Sequence, residues 1–233
     1  MLRRLVGGAA VIVVLLAVFA AGPVPDTPPI LQRFLEIDGP APAQFRALRH
    51  LDAGNDHFDS RAWMDVWTEA DEAGGFRYEI VSVGGSDYIR KRVFIGALDA
   101  EKSMWRPSSD GSSFNAANYA FEDRGTQADG LSLIAVKPRR RDVTLVEGSI
   151  FLRPEDGELV RVEGRLAKTP SFWTRRVDIV QRFQRFGGIR MPVAVESVAS
   201  ILIAGRSTFR MTYEYESVNG QPVGSPRPRP ADQ

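Results

Sequence analysis

From about residue 118 to residue 218, apolar and polar positions alternate in short runs that break at Gly or Asp-Gly pairs. A period of two marks half-buried strands, because successive side chains point to opposite faces. The pattern predicts strands over 118–123, 131–137, 149–153, 159–167, 176–186, 189–198, 201–204 and 207–218. The last alternates most cleanly, with Phe209, Met211, Tyr213 and Tyr215 on one face and Arg210, Thr212, Glu214 and Glu216 on the other. Asp156-Gly157 and Gly187-Gly188 are hairpin turns. Two further strands precede these. In 62–69, Trp63 and Trp67 share one face, and Met64 and Val66 share the other. After Gly74-Gly75 the chain returns over 76–83, with Phe76, Tyr78 and Ile80 on one face. Short connections pair sequence neighbours, so the expected arrangement is an antiparallel meander.

Two segments read as helices. Over 30–37, Ile30, Leu31, Phe34, Leu35 and Ile37 fall mostly on one side. A longer helix runs from Tyr88 to about Trp105, with Ser86 as N-cap and Asp87 in the first turn. Its apolar positions are Ile89, Val93, Ala97, Ala100 and Met104. Ile89, Val93 and Ala97 are expected to lie on the sheet, with Arg90, Lys91, Arg92, Glu101 and Lys102 in water. The fold class is therefore mainly β: a long curved antiparallel sheet with one main lid helix. A sheet of this many strands tends to curl. One helix is long enough to cross its concave face but not to fill it, and that mismatch motivates a cavity.

The ends differ from this pattern. Arg3 and Arg4 precede an uncharged apolar run from Leu5 to Ala21, and Val18-Phe19-Ala20 fits a small-x-Ala cleavage site. Residues 1–21 are thus a cleaved signal peptide or a retained N-terminal anchor. Either way the rest of the chain is exported, to the periplasm or an extracytoplasmic membrane face. Residues 22–43 form a Pro-rich linker with a short helix, broken at Gly39-Pro40-Ala41-Pro42. Residues 44–219 form the domain, and 220–233 a disordered tail.

Composition narrows the chemistry. The chain has no Cys, which excludes disulfides, thiolate metal sites and a lipid-bearing N-terminal cysteine. Lys and Arg total 30 against 29 Asp and Glu. Without Arg3 and Arg4 the count is 28 against 29, which argues against a nucleic-acid footprint. His50 and His57 are the two histidines, and their spacing matches no metal site. There is no Gly-x-Ser-x-Gly elbow. The expectation is a non-enzymatic protein with no cofactor and no metal.

The hairpin at 149–161 (SIFLRPEDGELVR) and the element 186–192 (FGGIRMP), a glycine turn followed by an apolar residue and Pro, resemble the LolA/LolB-like superfamily. That group includes periplasmic lipoprotein carriers and the RseB-type stress-sensor domain. The resemblance spans roughly residues 45 to 218 in order of elements. It implies an incomplete β-barrel with helix over its concave face and an apolar cavity for acyl chains. No position here carries over the carriers' functional arginine.

Candidate contacts follow. Trp63, Trp67, Phe76, Tyr78, Ile80, Phe209, Met211 and Tyr213 suit ordinary core, as buried aromatics most often do, and also suit an aromatic ligand wall on the concave face. Ile89, Val93 and Ala97 are the lid face. Lys137 with Arg139, Arg140 and Arg141 forms the densest basic run, and Trp173, Arg175 and Arg176 a second one. These suit a membrane or protein partner, or a solvated surface. The functional expectation is a periplasmic lipid or lipoprotein carrier holding an acyl chain or lipoprotein. Its alternative is an envelope sensor or scaffold that binds another protein.

Overall fold

The computed structural model describes residues 28–37, 42–105, 114–170, 172 and 174–224. The apolar run 1–21, the break at 39–41, Trp173 and the tail from 225 onward lie outside the described residues.

One helix, α1 (Pro29–Ile37), precedes three strands: β1 (Phe45–Asn55), β2 (Ser60–Asp71) and β3 (Gly75–Gly85). A second helix, α2, follows as three continuous pieces, Asp87–Ile89, Arg90–Ile95 with π geometry, and Gly96–Met104. Then come β4 (Tyr119–Thr126), β5 (Ser132–Pro138), β6 (Val146–Leu152), β7 (Leu159–Leu166), β8 (Thr174–Phe186), β9 (Ile189–Ile201), β10 (Gly205–Val218) and the two-residue β11 (Gln221–Pro222).

All strands belong to one antiparallel sheet in the order β3-β2-β1-β10-β9-β8-β7-β6-β5-β4, with β11 beside β10. Sequence neighbours pair throughout, except where α2 carries the chain from one edge strand to the other. The first and last long strands, β1 and β10, zip the two halves together, from Phe45 opposite Val218 to Asn55 opposite Ser207. The sheet is long, curved and unclosed, an incomplete barrel. β6 and β7 approach closely at two glycines. A Cβ on Gly148 would stand 2.1 Å from the Glu163 carbonyl oxygen, and one on Gly164 2.4 Å from that of Glu147. No side chain fits this contact.

The alternation has its physical counterpart in two cores on the concave face. Under α2 lie Ala47, Leu51, Met64, Val66 and Phe76, capped by Phe94 and Leu98. Under α1 lie Ile134, Ile150, Leu152, Leu159 and Val162, capped by Leu31 and Phe34. Both caps are needed because each half of the sheet presents an apolar face that one helix is too short to cover. The helix expected in a linker is therefore part of the packed unit. Arg33 fixes it to the β6–β7 hairpin by donating to the Pro154 carbonyl at 3.1 Å.

The structure adds one strand and corrects two further expectations. β1 has no counterpart among the predicted strands: its inward row is Phe45, Ala47, Arg49, Leu51 and Ala53, and a buried arginine in the middle hides the period. No separate strand covers 201–204; β9 continues to Ile201, and 202–204 is a turn. The lid face of α2 is Ile89, Phe94 and Leu98 with Val93 packed at its margin, and Ala97 is not part of it. Val93 is half-buried and Ala97 exposed. The π turn at 90–95 inserts one extra residue per turn, so the inward spacing jumps from four to five and the rest of the helix rotates.

Candidate functional site

The rotation of α2 turns Glu101, expected in water, onto the sheet. There it meets Arg49, whose side chain is 2% exposed. The pairing is bidentate, with Nη1 to Oε2 at 2.6 Å and Nη2 to Oε1 at 2.9 Å. The guanidinium sits in an aromatic box, 4.7 Å from the Tyr213 ring centroid, 5.3 Å from Phe76 and 5.7 Å from Phe45. Its Nη1 also lies 3.9 Å from the Met211 sulfur. Burial works against the charge, but the hydrogen bonds and attraction to Glu101 outweigh it and hold the Arg49 pKa above its ordinary value. Burial also pushes the Tyr213 and Tyr215 phenols well above theirs. A second polar tie binds the helix to the edge strand: the Tyr78 hydroxyl donates to Asp99 Oδ1 at 2.9 Å. Arg49 lies outside the contacts predicted from sequence. The readable signal was a charge at the centre of an apolar row.

The structure divides the predicted aromatic wall. Phe76 is fully buried in the core. Tyr78, Phe209, Met211 and Tyr213 share its face and are half-buried around α2. Ile80 is on the same row, opposite Val66, but 44% exposed on the edge strand. Trp63 and Trp67 are not part of this wall. The inward row of β2 is Ala62, Met64, Val66, Thr68 and Ala70, so both tryptophans point to the outer face. Small side chains beneath α2 let the helix backbone approach, whereas the outer face has room for indoles. Trp67 carries the Arg46 guanidinium at 4.7 Å, and Trp63 stacks on His50. His50 Nδ1 bonds Asp65 Oδ1 at 2.6 Å, and the Ser82 hydroxyl donates to Asp65 Oδ2 at 2.9 Å. With the carboxylate between them, His50 has no direct bond to the Ser82 hydroxyl.

The two basic segments converge. Lys137, Arg139, Arg140, Arg141, Arg165, Arg175 and Arg176 line one groove of about 600 Å³. It continues into a wider one of about 840 Å³ that reaches Arg124. Lys137, Glu147 and Arg165 alternate with the inward residues of β5, β6 and β7, so the groove lies on the outer face. Some charge is neutralised locally: Arg165 pairs with Glu147 at 3.0 Å and Arg176 with Asp178 at 2.6 Å. Arg139 donates to the carbonyls of Ala116 and Tyr119. Lys137, Arg141 and Arg175 have no carboxylate within ion-pair distance among the described residues, so the groove is net positive.

A curved, unclosed sheet with a helix tied across its concave face has the architecture of an incomplete barrel. No protein-family model and no curated protein matches the sequence. Among solved structures the chain is similar to a LolA superfamily protein from Nitrosomonas europaea, at 13% identity over 79% of this chain and 90% of that one, TM-score 0.38. It is also similar to a protein domain from Vibrio parahaemolyticus described as outer membrane lipoprotein-sorting, at 11% identity over 82% and 91%, TM-score 0.40. A DUF1329 family protein from Desulfovibrio piger is similar at 10% identity over 79% and 88%, TM-score 0.38. These likenesses concern the arrangement of strands alone.

Proposed function

We propose that the protein is an exported, non-catalytic binding protein of the cell envelope that holds an apolar ligand, an acyl chain or an acylated protein, between α2 and the concave face. One observation carries this reading. α2 seals only the centre of its half of the sheet, where Phe94 and Leu98 are buried, while Tyr78, Phe209, Met211 and Tyr213 around it stay half-buried. That ring of large, adaptable side chains has contact area to spare. Each methylene of a ligand buried there contributes about 0.8 kcal/mol, so an acyl chain competes with the two polar ties of the helix. Glu101 is the member of the latch that moves. Its side chain is 36% exposed against 2% for Arg49, so releasing it into water costs less than moving Arg49 out of its aromatic box. Export rests on the apolar run after Arg3 and Arg4.

The test is uptake of a fluorescent fatty acid by the full chain and by Met211→Asp. Arg49 is within reach of a carboxylate at 211, so the fold tolerates the change while the apolar floor is lost. Uptake by the parent chain and its loss in the variant, with an unchanged circular dichroism spectrum, are expected. Equal uptake by both places the ligand elsewhere.

A further inference from the structure

The two rims of the sheet differ in chemistry. At one rim lie the β2–β3, β4–β5, β6–β7 and β8–β9 connections, residues 72–74, 127–131, 153–158 and 187–188. They are tight Gly and Asp turns, and among the described residues none carries an exposed large apolar side chain. At the other rim lie the β1–β2, β5–β6, β7–β8 and β9–β10 connections and the start of α2. Six of the eleven large apolar side chains exposed among the described residues are here: Phe58 (61%), Tyr88 (73%), Val143 (42%), Phe172 (86%), Leu202 (41%) and Ile203 (70%).

These tips are neighbours in space. The start of α2 sits beside β2 through the Ser86 amide, which donates to the Arg61 carbonyl at 2.8 Å. The β1–β2 turn touches the β9–β10 turn, where the Asn55 side chain donates to the Ala204 carbonyl at 2.8 Å. Thr174, at the end of the β7–β8 connection, pairs with Ile201 beside that same turn. The net-positive groove opens at this rim, since Arg139, Arg140, Arg141 and Arg175 belong to its connections or to the strand starting from them. Exposed aromatic and aliphatic tips beside unneutralised cations are the composition of a surface that enters the headgroup layer of an anionic membrane. A water-facing rim would resemble the opposite one, and isolated exposed apolar residues would not gather on consecutive tips.

We propose that this rim docks the protein on an anionic phospholipid bilayer. The tips around Phe58, Phe172 and Ile203 enter the interface, and Lys137, Arg141 and Arg175 hold lipid phosphates in the groove. The orientation stands the strands on the membrane and leaves the Gly-Asp turns in water. It is independent of whether a ligand lies under α2.

The chain has no cysteine, so single labels report position cleanly in the full chain. Ile203→Cys and Phe172→Cys, with Ala73→Cys at the opposite rim, each carry an environment-sensitive fluorophore. The probes are vesicles of phosphatidylethanolamine with phosphatidylglycerol, and vesicles of phosphatidylcholine alone. The expected result is a blue shift and quenching by a lipid-tail quencher for the labels at 203 and 172, with the label at 73 remaining in water. Arg141→Glu with Arg175→Glu is expected to weaken that response on the anionic vesicles by more than tenfold, and phosphatidylcholine to support little of it. A retained N-terminal anchor does not confound the readout, because the labels report which rim enters the lipid. Labels that respond alike at both rims, or a label at 203 that stays in water on bound vesicles, overturn the proposal. So does a response that survives charge reversal unchanged. An acidic protein that protects the labels at 203 and 172 while vesicles leave them in water would assign the rim to that partner instead.

Discussion

At the residue scale the molecule turns on Arg49. It is a charge in the middle of an apolar strand face, and its cost is offset by one bidentate carboxylate and three aromatic rings. Removing the carboxylate leaves the guanidinium buried without an anion, a larger loss than the pair itself is worth. Glu101→Ala is therefore expected to lower stability by about 3 kcal/mol in urea titration, the low end for a buried pair because Glu101 is partly solvated. Replacing both residues with apolar ones is expected to recover much of that loss. The phenols beside Arg49 set an alkaline limit. Tyr213 and Tyr215 ionise above their ordinary 10.0 in the folded chain, chiefly because they are buried. Above that ordinary value the unfolded chain has released protons the folded chain still holds, so rising pH favours unfolding. The contribution of these phenols is expected to be flat below about pH 9 and to fall from about pH 10 upward. Tyr213→Phe is expected to flatten the fall in a pH series of denaturation midpoints.

At the scale of elements, α2 shows what a periodicity argument reaches and where it stops. Ser86 as the cap and the extent of the helix are legible, and Ser86 Oγ does accept from the Ile89 amide at 3.4 Å. The π turn is not, because it is imposed by what the helix packs against, and it brings Phe94 and Leu98 to the sheet, with Val93 at the margin and Ala97 exposed. Phe94→Ala and Leu98→Ala are each expected to cost about 3–4 kcal/mol in denaturant unfolding, as large-to-small changes at closed core sites do. Ala97→Ser is expected to stay within about 0.5 kcal/mol. The opposite ranking would restore the regular helix register. β2 makes the same point. Alternation correctly split Trp63 and Trp67 from Met64 and Val66, but size suggested the wrong inward row, because room beneath a helix favours the smaller side chains.

At the scale of the whole molecule, the sequence carried the meander from β4 to β10, its hairpin turns and its curl, since each is a local pattern. It did not carry β1, whose apolar row is interrupted by Arg49, nor the pairing of β1 with β10, which joins the two ends of the domain. The candidate site was legible in part for the same reason. Phe76, Tyr78, Phe209, Met211 and Tyr213 come together because they share a face, whereas the Arg49–Glu101 latch needs a register that only the packed helix sets. The two basic segments were each visible, and their meeting in one groove follows from strand order.

The central claim is that α2 and the sheet hold an apolar ligand between them. Native mass spectrometry of the full chain purified from its own envelope fraction, followed by lipid extraction, tests it most directly. A near-stoichiometric acyl species bound to the parent protein and absent from Met211→Asp is expected. A protein that flies at its own mass and takes up neither fatty acid nor phospholipid when these are added would contradict it, and would make the concave face packed core throughout.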